Sequence, residues 1–196
     1  GDFHMAVRIV TDSSCDLTVE EASSLGVEVV PLSIRFGDDE YKDRTELTAT
    51  DFYAKMASVD KLPETAAPAP GLFEAAFRAQ AAAGADAVVC LNISEELSAT
   101  IQSARNAARS LEGEVPVEVI DSRSITMGLG NLVLAAGQAA ADGASLDEVK
   151  ALITERIPRT RVFGALDTLE NLKKGGRIGG AQAFLGSVLS IKPIVD

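Results

Sequence analysis

Three short stretches hold residue types that could do chemistry. "TDSSCDL" ends a β-branched apolar run with one acid and two hydroxyls, Asp12, Ser13 and Ser14. An aspartate there can act as a nucleophile toward a phosphoryl group, can join Ser13 in contacting a polar ligand, or can cap the helix that follows, since Asp and Ser are among the best N-caps. "LSATIQSA" places Ser98 and Thr100 at a helix start, where hydroxyls and unpaired amides can hold a carboxylate or serve as an ordinary cap. "LKKGGRIGG" sets Lys173, Lys174 and Arg177 among glycines, which let backbone N–H groups approach an anion. It lacks the Lys-Ser/Thr ending of a Walker A loop and does not follow a buried strand as a dinucleotide fingerprint does; as a pattern alone it equally well joins two helices.

Other chemistries are removed by what the chain lacks. The only histidine is His4, inside the opening "GDFHM", which is read as an expression remnant over residues 1–5 ahead of a start at Met5. No Ser-His-Asp or Cys-His arrangement and no histidine metal site can be assembled from the rest, and no metal or cofactor is called for. The 29 acids and 18 bases give a formal net charge of −11, which repels a phosphate backbone and argues against a nucleic-acid partner. Cys15 and Cys90 have neither metal-site spacing nor a disulfide framework, and Cys90 in "AVVCLNI" reads as a small core residue. The opening lacks the basic and apolar regions of a signal peptide, and no run reaches the roughly 20 apolar residues of a membrane span. A cytoplasmic location is expected.

The elements that must position these residues alternate. "VRIVTD" reads as a strand buried on both faces. Thr18 with Glu21 forms a capping box for the next helix, and "VEVVPLSIRF" is read as a single second strand with Pro31 at a bulge or edge. Residues 38–70 form a long excursion with a short helix near "TDFYAKMA" and a proline-punctuated extended segment, a pattern typical of a binding element or lid. The alternation then resumes: a helix ending at Gly84, the strand "DAVVCLNI", a helix burying Ile101, Ala104, Ala108 and Leu111, the strand "PVEVID", an apolar helix from "MGLG", and a helix capped by Ser145 and Glu148. The expected fold class is α/β, a mostly parallel sheet with helices on both faces over residues 6–158. Residues 159–196, read as a strand, a short helix, the glycine-rich basic turn, a further helix and a final strand, are taken as the start of a second, smaller α/β domain, since so short a segment makes a poor core alone. Ligands on such sheets sit at the carboxyl ends of the strands, so Asp12–Ser14, Asn92–Ser94 and Asp121–Ser124 should share one rim.

Five stretches in register, "VTDSSCDL", "TAAPAPGLF", "LSATIQSA", "VIDSRSITMGLG" and "LENLKKGGRIGGAQAFLGSVLSIKPIV", resemble the DegV family of bacterial fatty-acid-binding proteins from Val7 to Val195. The resemblance implies a carrier that is no enzyme itself: it sequesters a long-chain fatty acid and presents the carboxylate to a partner fatty acid kinase, which converts it to an acyl phosphate. It implies that Thr65, in the loop, and Ser98 and Thr100, at the helix start, hold the lipid head, with Arg177, Lys173 and Lys174 near the head group or the kinase face. It leaves room for transient contact with a membrane surface. Two departures stand out: Ala66, Ala67 and Ala69 replace polar loop residues of the family, and Ala99 replaces a glycine. Family members also continue beyond the "IKPI" strand, so a truncated C-terminal domain is expected. Beside this reading stand a phosphotransfer enzyme or phosphatase using Asp12 and a sugar- or nucleotide-binding module.

Overall fold

The computed structural model describes residues 6–184 and 192–196; the opening pentapeptide with His4, and part of the helix expected between the basic turn and the final strand, lie outside them. The first strand, β1 (Val7–Asp12), leads through a 3-10 turn at Ser13–Cys15 into α1 (Val19–Ser24). The Thr18–Glu21 capping box starts α1 as its spacing predicts, each residue's side chain accepting from the other's backbone N–H. The chain returns as β2 (Glu28–Val30), parallel to β1.

The expected second strand is in fact two. Pro31 and Leu32 turn the chain out of the main sheet, and β3 (Ser33–Phe36) begins a separate antiparallel one. Proline has no N–H to continue a ladder, so it marks a corner here and not a bulge. Gly37, at φ +61°, opens a two-residue hairpin to β4 (Asp39–Lys42), a conformation for which glycine lacks the usual Cβ penalty. After α2 (Ala49–Ala57), capped by Thr48, β5 (Glu64–Ala66) pairs with the other edge of β3. These elements have their own small core of Ile34, Phe36 and Leu47, with Tyr41, Phe52 and Met56 packed on it. The Phe36 and Phe52 rings lie 5.7 Å apart, and Lys55 Nζ sits 5.3 Å from the Tyr41 ring. This arm is tied to the main body by Arg44, which donates to the Asp16 carboxylate and to the Leu17 carbonyl, and by Leu32 N, which donates to Ser13 Oγ at 3.1 Å.

Pro70 occupies the first turn of α3 (Pro70–Ala82), where its missing N–H costs nothing. The fully buried β6 (Ala87–Asn92), α4 (Thr100–Ser110), β7 (Val117–Asp121), α5 (Thr126–Ala141) and α6 (Leu146–Arg156) follow. The main sheet is parallel throughout, in the order β2-β1-β6-β7. Helices α3 and α4 cover one face through Phe73, Phe77, Ala104 and Leu111; α5 and α6 cover the other through Leu129, Leu132, Val149 and Ile153. Chain order reverses direction between β1 and β6, and crevices of this kind open at the carboxyl ends of the strands. Beyond Arg156 come β8 (Gly164–Ala165), the short α7 (Glu170–Lys174), a 3-10 segment at Gly179–Phe184 where an α-helix was expected, and β9 (Ile194–Val195), antiparallel to β8.

Two glycines set how closely α5 approaches the rim. A Cβ on Gly130 would lie 2.4 Å from the Cys15 carbonyl oxygen, and one on Gly128 would lie 2.1 Å from Ser124 Oγ and 2.4 Å from Val162 Cγ2. The "MGLG" run therefore lets α5 seat its first turns directly against the 3-10 turn after β1.

Candidate functional site

All three strand ends converge. Asp12 closes β1 and is fully buried. Its Oδ1 accepts from the backbone N–H and hydroxyl of Ser14. Its Oδ2 accepts from Asn92 Nδ2 and from Ile93 N, each at 3.0 Å. Burial pushes the carboxyl above its ordinary value, while these four donors pull it back. Buried, Cys15 is pushed up to about 11, and burial raises the Cys90 thiol well above its ordinary value; neither is a ready nucleophile.

The loop from β6 to α4 is fastened residue by residue. Ser94 N donates to the Ser124 carbonyl at 2.9 Å, and Glu95 N donates to Asp121 Oδ1 at 3.3 Å. Within the loop, Leu97 N and Ser98 N both donate to the Ser94 carbonyl. Ser98 Oγ then accepts from Thr100 N at 3.2 Å and lies 2.8 Å from Thr100 Oγ1. Thr100 is fully buried and Ser98 half-buried. Ala99 stands at the cap position of α4 with no side-chain bond to give, so the two hydroxyls flanking it supply the polar groups there. From the far end of the chain, Arg177 Nε donates to the Leu97 carbonyl at 3.2 Å, and its Nη1 donates to the Gly175 carbonyl.

Of the residues singled out from the sequence, Ser98, Thr100 and Arg177 are thus brought to one corner. Asp12 and Ser13 lie beside it, but their side chains face inward: Asp12 has both oxygens occupied, and Ser13 Oγ accepts from Leu32 N. An aspartyl nucleophile would have to surrender two of these bonds and receive its substrate at a side chain with no exposed surface. Thr65 is exposed in the middle of β5, opposite Ile34, and no hydrogen bond of the described residues joins it to Ser98 or Thr100. A groove of about 430 Å³ runs along Ala108, Arg109 and Glu112–Val117, and one of about 310 Å³ lies among Arg35, Asp38, Lys61 and Glu64; neither is lined by Thr65 or Ser98. Asn92, Asp121 and Ser124, expected on the ligand rim, are instead each engaged in fastening the loop. Among the described residues no acidic, histidine and cysteine cluster suits a metal ion, and no helix is long and apolar enough to cross a membrane.

The fold is that of an α/β protein whose parallel sheet carries the Ser98 and Thr100 hydroxyls beside its switch point. The model of a family described as "Uncharacterised protein, DegV family" matches residues 6–196, and the chain belongs to the DegV family. A DegV domain-containing protein of Deinococcus radiodurans is 39% identical over 191 residues, covering 97% of this chain and 67% of that protein. A DegV family protein of Thermus thermophilus, solved as a study of its fatty acid binding, superposes with a TM-score of 0.86 at 40% identity, covering 97% of this chain and 67% of that one. A stearic acid-binding protein of Eubacterium ventriosum superposes with a TM-score of 0.78 at 32% identity, over 92% of this chain and 64% of that one. The chain therefore spans about two thirds of the length of the proteins it matches.

Proposed function

We propose that this protein holds a long-chain fatty acid and presents its carboxylate to a partner fatty acid kinase, without itself catalysing a reaction. The observation that carries this reading is the Ser98–Thr100 hydroxyl pair at the start of α4, with Arg177 fastened one residue away on the Leu97 carbonyl. A carboxylate taken from water needs several donors. Hydroxyls and amides supply them without the permanent ion pair that would oppose phosphoryl transfer to the same oxygen. The tail supplies the affinity, at about 0.8 kcal/mol per buried methylene. Exposed Met127, Phe163 and Ile194 offer it an apolar surface: Phe163 immediately precedes β8, Ile194 lies in β9, and Val162 packs against the turn of α5 that carries Met127. Lys173 and Lys174, both exposed, face outward beside Arg177 as the surface for the kinase. Thr65, exposed on β5, is the further hydroxyl this reading assigns to the head group.

Solvent extraction and mass spectrometry of the purified protein should yield a long-chain fatty acid. Replacing Ser98 and Thr100 together by Ala should weaken stearate binding by about 1–2 kcal/mol, or roughly 5- to 30-fold, because each hydroxyl contributes about a hydrogen bond's net worth. A preparation that contains no lipid and binds no added stearate would sink the proposal.

A further inference from the structure

We propose that Asp12 is a positioning residue: its buried carboxylate fixes the β6–α4 loop and thereby sets where the Ser98 and Thr100 hydroxyls stand. The inference rests on the head-group reading of that corner and deepens it. The connection is a continuous path of hydrogen bonds. Oδ2 of Asp12 holds Ile93 N and the Asn92 side chain; Ser94, next in the chain, is held by the Ser124 carbonyl; and the Ser94 carbonyl receives Ser98 N at 3.1 Å. Oδ1, occupied by Ser14, anchors the carboxylate to its own strand end. The two oxygens therefore bridge β1 to β6 at the topological switch point, just beyond the last paired residues of the ladder, Thr11 and Leu91, and join partners 80 and 81 residues apart. An unfilled donor in this position would be costly, because Asn92 and Ile93 are themselves buried.

Asparagine has the shape of aspartate but offers one acceptor atom and two donor hydrogens. Its amide nitrogen must face either the Ser14 N–H and hydroxyl or the Asn92 and Ile93 N–H groups, and the hydroxyl alone among these can turn to accept, so at least one buried N–H is left unserved. In Asp12→Asn, amide exchange at Ile93, Ser94 and Ser98 should rise at least tenfold relative to amides in the interior of β6. Its stearate Kd should rise about tenfold in the otherwise native protein. In a Ser98→Ala/Thr100→Ala background the same substitution should barely change the Kd, because the groups it positions are gone, while its effect on Tm should persist. Equal Kd penalties in both backgrounds, or a lowered Tm with unchanged Kd and unchanged loop exchange, would overturn the inference. Absence of stearate binding by the native protein would instead defeat the head-group reading and leave loop exchange to decide the positioning role. If Asp12→Asn does not fold, Asn92→Leu, which removes one of the two donors on Oδ2, should raise exchange at Ser94 and Ser98; unchanged exchange there would overturn the inference.

Discussion

The Asp12 carboxyl is a buried acid that stays useful because it is surrounded by donors. Burial dominates and raises its pKa above 3.8, against the pull of Ser14, Ile93 and Asn92. The folded protein thus holds this proton more tightly than the unfolded chain does. The contribution of Asp12 to stability is greatest below the unfolded value, declines as pH rises through the raised folded value, and is constant above it. Urea unfolding from pH 3 to pH 7 should show native minus Asp12→Asn stability falling with rising pH and then levelling, and a difference that grew with pH would contradict the burial. The sequence placed Asp12 at the rim but could not say which way it faced. An aspartate followed by serine at a strand end serves equally as a cap, a ligand contact or a cross-strand bridge, and the partners that decide among these are remote in the chain. The helix start at Ser98 and Thr100 was more legible, because a hydroxyl there bonds a nearby backbone N–H by local geometry alone; the burial of Thr100 had no local signal. Arg177 was legible only as a basic turn; that it reaches Leu97 is a long-range fact with no local signal.

At the scale of elements, the helices and buried parallel strands were readily legible through capping boxes and β-branched runs. The antiparallel arm was hidden. The strand "DEYK" is polar on nearly every position, since β4 is exposed at three of its four residues, and its hydrophobic alternation is too weak to separate it from a turn. Likewise "VEVVPLSIRF" is one apolar run by composition, and only the absence of a proline N–H divides it between two sheets. The close seating of α5 is an element-scale constraint with a measurable cost. Gly130→Ala introduces a methyl 2.4 Å from a backbone oxygen that cannot swing aside. The substitution should lower unfolding free energy by about 2 kcal/mol in urea titration, in the range found for overpacked cores, despite the better helix propensity of alanine. Gly71→Ala, in α3 with open space around it, is the control and should be neutral or slightly stabilising.

For the molecule as a whole, stability is unevenly distributed. The main sheet is buried on both faces, whereas the arm of residues 33–66 rests on a core of three buried side chains and a few hydrogen bonds to the main body. Local openings cost least where apolar contacts are few. Amides of β3 and β5 should therefore exchange through local opening at a free energy well below that of β1 and β6, and identical protection in both regions would show the arm to be welded to the main body.

The central pairing of β1 with β6 joins segments 80 residues apart. Neither face of the core can assemble until that long loop is closed, so the entropic toll of closure comes before its reward. The topology thus favours slow, late-committing folding kinetics, in which β1 waits for a partner strand that emerges from the ribosome only after some 80 further residues.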